Sequence, residues 1–214
     1  MINVSIHTFN AFQQNTSVVS DESGNCVIID PGCYSSHEEN ELTQYIESSG
    51  FKPRAVLNTH AHIDHVLGNQ FVSSKYDIPL YLHRDDLSTL RSVENYAHLY
   101  GFEGYKKSPE PTFFLEDGQV LTFGNICFKV MHTPGHAPGH VVFIDTANNF
   151  VINGDVLFRG SFGRTDLPGG DFETLKSIIL NKMFSLPEDM TIYCGHGPST
   201  TIGTEKVSNY ILNF

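Results

Sequence analysis

Short runs in which apolar residues alternate with polar ones open the chain. Val4–Phe9, Thr16–Val19 and Cys26–Ile29 are rich in β-branched and aromatic side chains, and the polar Asp21-Glu22-Ser23-Gly24 separates the last two. A period of two marks a half-buried strand, so this stretch predicts a β-meander. The period then lengthens. Ser36 and Glu39 form a capping-box pair ahead of Leu42, Tyr45 and Ile46, and Gly50 and Pro53 end the predicted helix. A strand is predicted at Ala55–Thr59, and helices at His65–Tyr76 and Asp85–Tyr100, the second with Leu87, Leu90, Val93, Tyr96 and Ala97 at helical spacing. Strands recur at Ile126–Met131, Val141–Ile144 and Phe150–Ile152. After a Gly/Pro-rich loop, Asp171 caps a helix bearing Leu175, Ile178, Ile179 and Met183, and the strand Thr191–Cys194 precedes a last helix.

Each half therefore reads as strands followed by helices. Sheets with an apolar face and helices with an apolar stripe must cover one another, which predicts a four-layer α/β sandwich of two central mixed β-sheets flanked by helices. The 214 residues suit one domain, 1–214, with no repeat and no linker. With 40% hydrophobic and 17% charged residues and no low-complexity tract, the chain is that of a globular protein rather than a disordered one. A net charge of -11 disfavours nucleic acid as a partner. The N-terminus has no basic start or apolar core, and no apolar stretch approaches the ~20 residues that span a bilayer, so the expected location is the cytoplasm, away from membranes. Cys26, Cys33, Cys127 and Cys194 form no CxxC pair and read as free or small buried residues, not as a zinc knuckle or disulfide framework.

The candidate chemistry sits at strand ends. In Thr59-His60-Ala61-His62-Ile63-Asp64-His65, residues two apart point to one side, so His60 and His62 are placed to grip one ion while the following turn brings Asp64 and His65 toward a second. Imidazole and carboxylate suit a borderline cation, zinc first, with iron and manganese also compatible. A second cluster, His132-Thr133-Pro134-Gly135-His136-Ala137-Pro138-Gly139-His140, follows an apolar strand, and its Pro-Gly pairs enforce a tight loop. Its three histidines are too many to be ligands together. Asp155 and His196 each stand one glycine beyond a strand. Alone each reads as a cap or a satisfied polar residue; together with the histidine clusters they complete three imidazoles for one ion, two imidazoles and Asp64 for another, and Asp155 to bridge.

The segments IIDPG at Ile28–Gly32, THAHIDH, HTPGHAPGH, GDVLFRGSFGRTD and CGHGPSTTIG, in this order, resemble the metallo-β-lactamase superfamily, and within it the compact glyoxalase II-like (hydroxyacylglutathione hydrolase-like) hydrolases. The resemblance implies that His60, His62 and His136 hold the first metal, that Asp64, His65 and His196 hold the second, and that Asp155 bridges them. It makes Asp30 an acidic residue behind the site and leaves His132 and His140 as supporting residues of the loop.

The activity implied is hydrolysis of a thioester of the S-D-lactoylglutathione type by a hydroxide between two divalent ions, which lower the pKa of water from about 15.7 to about 7. Asp64 and Asp155 would orient that hydroxide and accept protons only secondarily. Arg159, Arg164 and Lys206 are the candidate contacts for an anionic glutathione conjugate, and Phe162 a candidate packing surface. Arg164 with Asp166 also reads as a plain structural ion pair. Glyoxalase II enzymes carry a further C-terminal helical region with glutathione contacts, so fewer such contacts are expected here. The rivals are a mononuclear iron persulfide dioxygenase, whose iron takes two histidines and one aspartate, and a lactonase or other hydrolase on the same fold. His196 favours the dinuclear hydrolase, and a site with an open water position argues against a purely metal-binding module.

Overall fold

The computed structural model describes residues 1–214. Strands β1 (Ile2–Phe9), β2 (Gln14–Asp21) and β3 (Asn25–Ile29) form the antiparallel meander. Helix α1 (Ser36–Ser48) leads to β4 (Lys52–Leu57). Helices α2 (Ile63–Val66) and α3 (Asn69–Tyr76) precede β5 (Leu80–His83), and α4 (Leu87–Tyr96) precedes β6 (Phe113–Leu115). These strands make one sheet in the order β1-β2-β3-β4-β5-β6, its last three pairings parallel. The second half contains β7 (Val120–Phe123), β8 (Ile126–His132), β9 (Val141–Asp145) and β10 (Phe150–Gly154), then the two-stranded hairpin β11 (Leu157–Phe158) and β12 (Ser161–Phe162). Helix α5 (Phe172–Asn181), β13 (Thr191–Cys194), β14 (Thr200–Thr201) and α6 (Ile202–Ser208) complete it, and the second sheet runs β14-β13-β10-β9-β8-β7.

Strand alternation sorts the core into layers. Val27 and Ile29 of β3 face Phe128, Val130, Phe143 and Ile152 of the other sheet, forming the central slab. Their neighbours Cys26 and Ile28 face outward onto Leu42 and Ile46 of α1 and Val72 of α3. On the far side, Val142, Val151 and Ile192 meet Leu175 and Ile179 of α5. One face of each strand packs sheet on sheet and the other packs sheet on helix, which yields two mixed sheets flanked by helices. No helix is long and apolar enough to cross a membrane.

Several predicted elements differ in detail. The capping box is Ser35 with Glu38, one residue before the predicted pair: the Ser35 hydroxyl accepts from Glu38 N, and the Glu38 carboxylate accepts from Ser35 N at 2.8 Å. Glu38 also accepts from Asn10 N at 2.6 Å, so the β1–β2 turn selects the earlier start. The predicted helix 65–76 is two helices, because the chain at Gly68 passes against Pro31, with Gly68 N donating to Pro31 O at 2.8 Å. The helix predicted for 85–100 has a regular α-helical part only at 87–96, between two 3-10 turns. Strands β5, β6 and β7 were not predicted, and β4 begins at Lys52 and ends at Leu57 rather than spanning 55–59. Asp171 caps α5 as expected, accepting from Thr174 N at 2.7 Å. All four cysteines are free; Cys127 is exposed and the others are buried.

Candidate metal centre

The chain leaves β4, bends at Thr59 and passes His60 to His62, which is extended and is the residue before α2. His136 comes from the loop between β8 and β9. His136 Nε2 lies 3.2 Å from His60 Nε2 and 2.8 Å from His62 Nδ1. His136 Nδ1 donates to the Arg164 carbonyl at 2.7 Å, so Nε2 presents a bare lone pair toward the other two nitrogens. At most one proton serves such a trio; a cation is its natural occupant, since bonds of about 2.0–2.1 Å put tetrahedral ligand nitrogens about 3.3 Å apart.

The second triad joins Asp64 and His65 of α2 to His196, which follows β13. His196 Nε2 is 3.1 Å and His65 Nε2 3.6 Å from Asp64 Oδ2. Asp155 stands between the two triads. Its Oδ2 is 3.6 Å from His136 Nε2 and 3.5 Å from His196 Nε2, and its Oδ1 is 3.4 Å from His65 Nε2. His65 Nε2 and Asp155 Oδ1 are buried without a hydrogen-bond partner. Buried polar atoms left this way are costly unless something else satisfies them, so the donor set fits divalent cations.

Two glycines let Asp155 take this place. Gly154 adopts φ +51°, and a Cβ there would lie 2.7 Å from His140 Nε2; a Cβ on Gly195 would lie 2.1 Å from Asp155 Oδ1.

Residues behind the candidate ligands fix their tautomers. Asp30 Oδ2 accepts from His65 Nδ1 at 3.0 Å, and the same carboxylate accepts from Thr59 N and Thr59 Oγ1 at 2.7 and 2.6 Å. The Phe12 carbonyl accepts from His196 Nδ1 at 3.1 Å. His140 accepts the Asp155 N–H on Nε2 at 3.0 Å, so it positions Asp155 through its backbone. His132 belongs elsewhere: it stacks on His83, and its Nε2 donates to the Pro138 carbonyl at 2.9 Å.

Asp86 escaped the sequence reading altogether. Fully buried, it accepts Ala61 N on Oδ2 and Gly139 N on Oδ1, both at 2.7 Å. It thereby ties the loop of His60 and His62 to the loop of His136. The only sequence signal was an acidic residue at the head of a predicted helix, where it is unremarkable.

The electrostatics divide along the triads. Burial lowers the pKa of His60, His62 and His136, that of His62 to about 3, so the first triad is a set of neutral imidazoles. Burial opposes charge on His65 as well, but Asp155, Asp64 and Asp30 outweigh it and raise its pKa. Burial likewise opposes ionisation of Asp155 and Asp64, and the adjacent histidines, His65 foremost, hold both carboxyls below their ordinary value. The second triad with Asp155 is therefore a set of carboxylates whose charge the protons on His65 and His196 balance, protons that divalent cations would replace.

The candidate substrate contacts lie less centrally. Exposed Arg164 makes a bidentate pair with Asp166, both contacts 2.7 Å, while its carbonyl holds His136. Lys206 pairs with Glu188 at 3.0 Å. Phe162 is half-buried against Phe172 and Phe214. Arg159 is exposed at the end of β11.

Comparison with known proteins bears on this site. Residues 9–196 match the family described as the Metallo-beta-lactamase superfamily. The hydroxyacylglutathione hydrolase GloC of Haemophilus influenzae is 37% identical over 213 residues, 99% of either chain. Among solved structures, the BLEG-1 B3 metallo-beta-lactamase is 34% identical with a TM-score of 0.90, each chain covered in full. TTHA1623, solved in a di-iron-bound form, is 40% identical with a TM-score of 0.86, covering 97% of this chain and 99% of that one.

Proposed function

The chain belongs to the metallo-beta-lactamase superfamily and is a metal-dependent hydrolase; on that footing we propose that it is a dinuclear hydrolase of thioesters of the S-D-lactoylglutathione type. The observation that carries the two-ion reading is the Asp155 carboxylate, about equally distant from His136 of one triad and His196 of the other. Two divalent cations, zinc in the first place and iron as the alternative that the di-iron relative supports, would supply Lewis acidity and a water ionised near neutral pH. His60, His62 and His136 would hold one of them, and Asp64, His65 and His196 the other.

The remaining work falls to the chain itself. Asp30, the Phe12 and Arg164 carbonyls and His140 keep the site's residues aimed before substrate arrives, so little reorganisation accompanies the reaction. Asp64, whose side chain is 13% exposed, is the acidic edge of the centre open to solvent. With Asp155 it would orient the attacking hydroxide, accepting a proton only secondarily. A thiolate leaves readily, so no dedicated acid is needed. The glutathione reading is supported by the likeness to GloC; Arg164, paired with Asp166, would have to exchange that partner to bind a glutathione carboxylate. Arg159, Phe162 and Lys206 complete the proposed substrate contacts. A lactam or lactone ring is the second reading, favoured by the TM-score of 0.90 to the B3 enzyme.

Steady-state kinetics on metal-replete protein decide between them, with S-D-lactoylglutathione, a lactone, a cephalosporin and glutathione persulfide as substrates and metal counted on the same sample. The expected result is thioester hydrolysis with two ions per chain. His196→Ala should lose one ion and roughly 100-fold in kcat, since a catalytic ion contributes several kcal/mol. Turnover of a ring substrate or the persulfide with none of the thioester would overturn the assignment.

A further inference from the structure

Outside the centre just described, His83, Asp85 and His132 gather at the same rim, and we propose that they form a separate, weaker site for a divalent transition cation that prefers imidazole, such as zinc. Their donor atoms lie within 4.8 Å of one another. His83 ends β5 and His132 ends β8, so the two imidazoles come from different sheets. Their rings stack with centroids 4.2 Å apart and planes 12° from parallel. Asp85 Oδ2 lies 3.8 Å from His83 Nδ1.

Three features separate this cluster from ordinary packing. His132 spends its Nε2 proton on the Pro138 carbonyl, which leaves Nδ1 as a bare lone pair; the same device presents His136 and His196 to the central site. His83 Nδ1 holds its lone pair on the Asp85 N–H at 3.3 Å, a long contact that the ion would displace. Burial, with His132 second, keeps the His83 imidazole neutral, the form that binds metal. Asp117 adds negative charge, accepting His132 N at 2.7 Å on its carboxylate, and Glu116 lies close enough to act on His83. Two imidazoles within an acidic surround match a cation's requirements in ligand type and in charge.

Bonds of about 2.0–2.1 Å need donors about 3.3 Å apart, so the three groups must close by up to about 1.5 Å, and the His83 ring must turn out of its stack on His132, because the in-plane lone pairs of parallel rings do not meet at one ion. Asp85, with its side chain 58% exposed, is free to follow. The bound ion would keep at least one water and would be held less tightly than ions at the buried centre. It would also cross-link the two sheets beside the loop of His136.

The test is a count by difference, which holds whatever number of ions the central site takes. Metal-loaded wild type and His83→Phe, which keeps a stacked ring but no donor, are dialysed against rising free zinc and analysed for metal. Wild type should take up one ion per chain more than the variant. It should also show a further rise in Tm with free zinc, which the variant lacks, because an ion that binds only the folded state stabilises it. Equal counts in the two proteins would overturn the proposal. If His83→Phe does not fold, Asp85→Asn serves instead: the extra uptake should move to roughly tenfold higher free zinc, and an unmoved curve would be equally fatal.

Discussion

Asp86 decides how well the first triad is made, although it touches no side chain of that triad through a hydrogen bond. Its two oxygens receive one N–H from each of the loops that carry His60, His62 and His136. Burial is the main influence on it and pushes its carboxyl up to about 6, so the fold accepts an unfavourable charge position to keep both contacts. Asp86→Asn retains one acceptor and sets an NH2 group against the other backbone N–H. The expected result is a loss of about 1–3 kcal/mol in stability, with roughly tenfold weaker binding of the ion at His60, His62 and His136 and unchanged binding at the other triad. Unfolding in denaturant and metal counting read both, and an even loss from the two triads would remove Asp86 from this role. The seven candidate ligands were visible in the sequence because two histidine-rich segments gave Asp155 and His196, bland alone, a shared context. Asp86 was not, and the hold of His140 on Asp155 was not, because these contacts exist only once loops distant in sequence come together.

At the scale of elements, the period of two located the long strands, and the polar-to-apolar changes located α1 and α5. Strands of three or four residues, such as Phe113–Leu115 and Leu80–His83, are too short to show a period and take their structure from parallel neighbours. Helix starts are legible only to the nearest residue when two serines adjoin, as Ser35 and Ser36 do. The Asn10–Glu38 contact decides between them and is tertiary. Ser35→Ala should therefore cost about 1 kcal/mol and Ser36→Ala almost nothing, measured by urea unfolding. Equal effects would mean that the helix starts where the serine pattern alone had put it.

Over the whole molecule, both sheets contribute to the centre. His60, His62, Asp64 and His65 follow β4 of the first sheet, whereas His136, Asp155 and His196 follow strands of the second. Few backbone hydrogen bonds close the seam there: Val141 N donates to Thr59 O at 2.8 Å and Asn15 N to Gly195 O at 2.7 Å. This division has a kinetic consequence. Ligands so far apart along the chain meet only when the two halves have docked, an event with a large loop-closure cost that belongs late in folding. Ions that bind such a site stabilise the native state more than the transition state. Loading the protein with metal should then slow unfolding several-fold or more and leave the refolding rate unchanged; stopped-flow unfolding and refolding with and without chelator measure the two arms separately. Faster refolding with metal would mean that the ions nucleate the chain. If the ions instead enter last and must leave before the halves part, metal supply governs how long the folded protein survives proteases, not how often it reaches the fold.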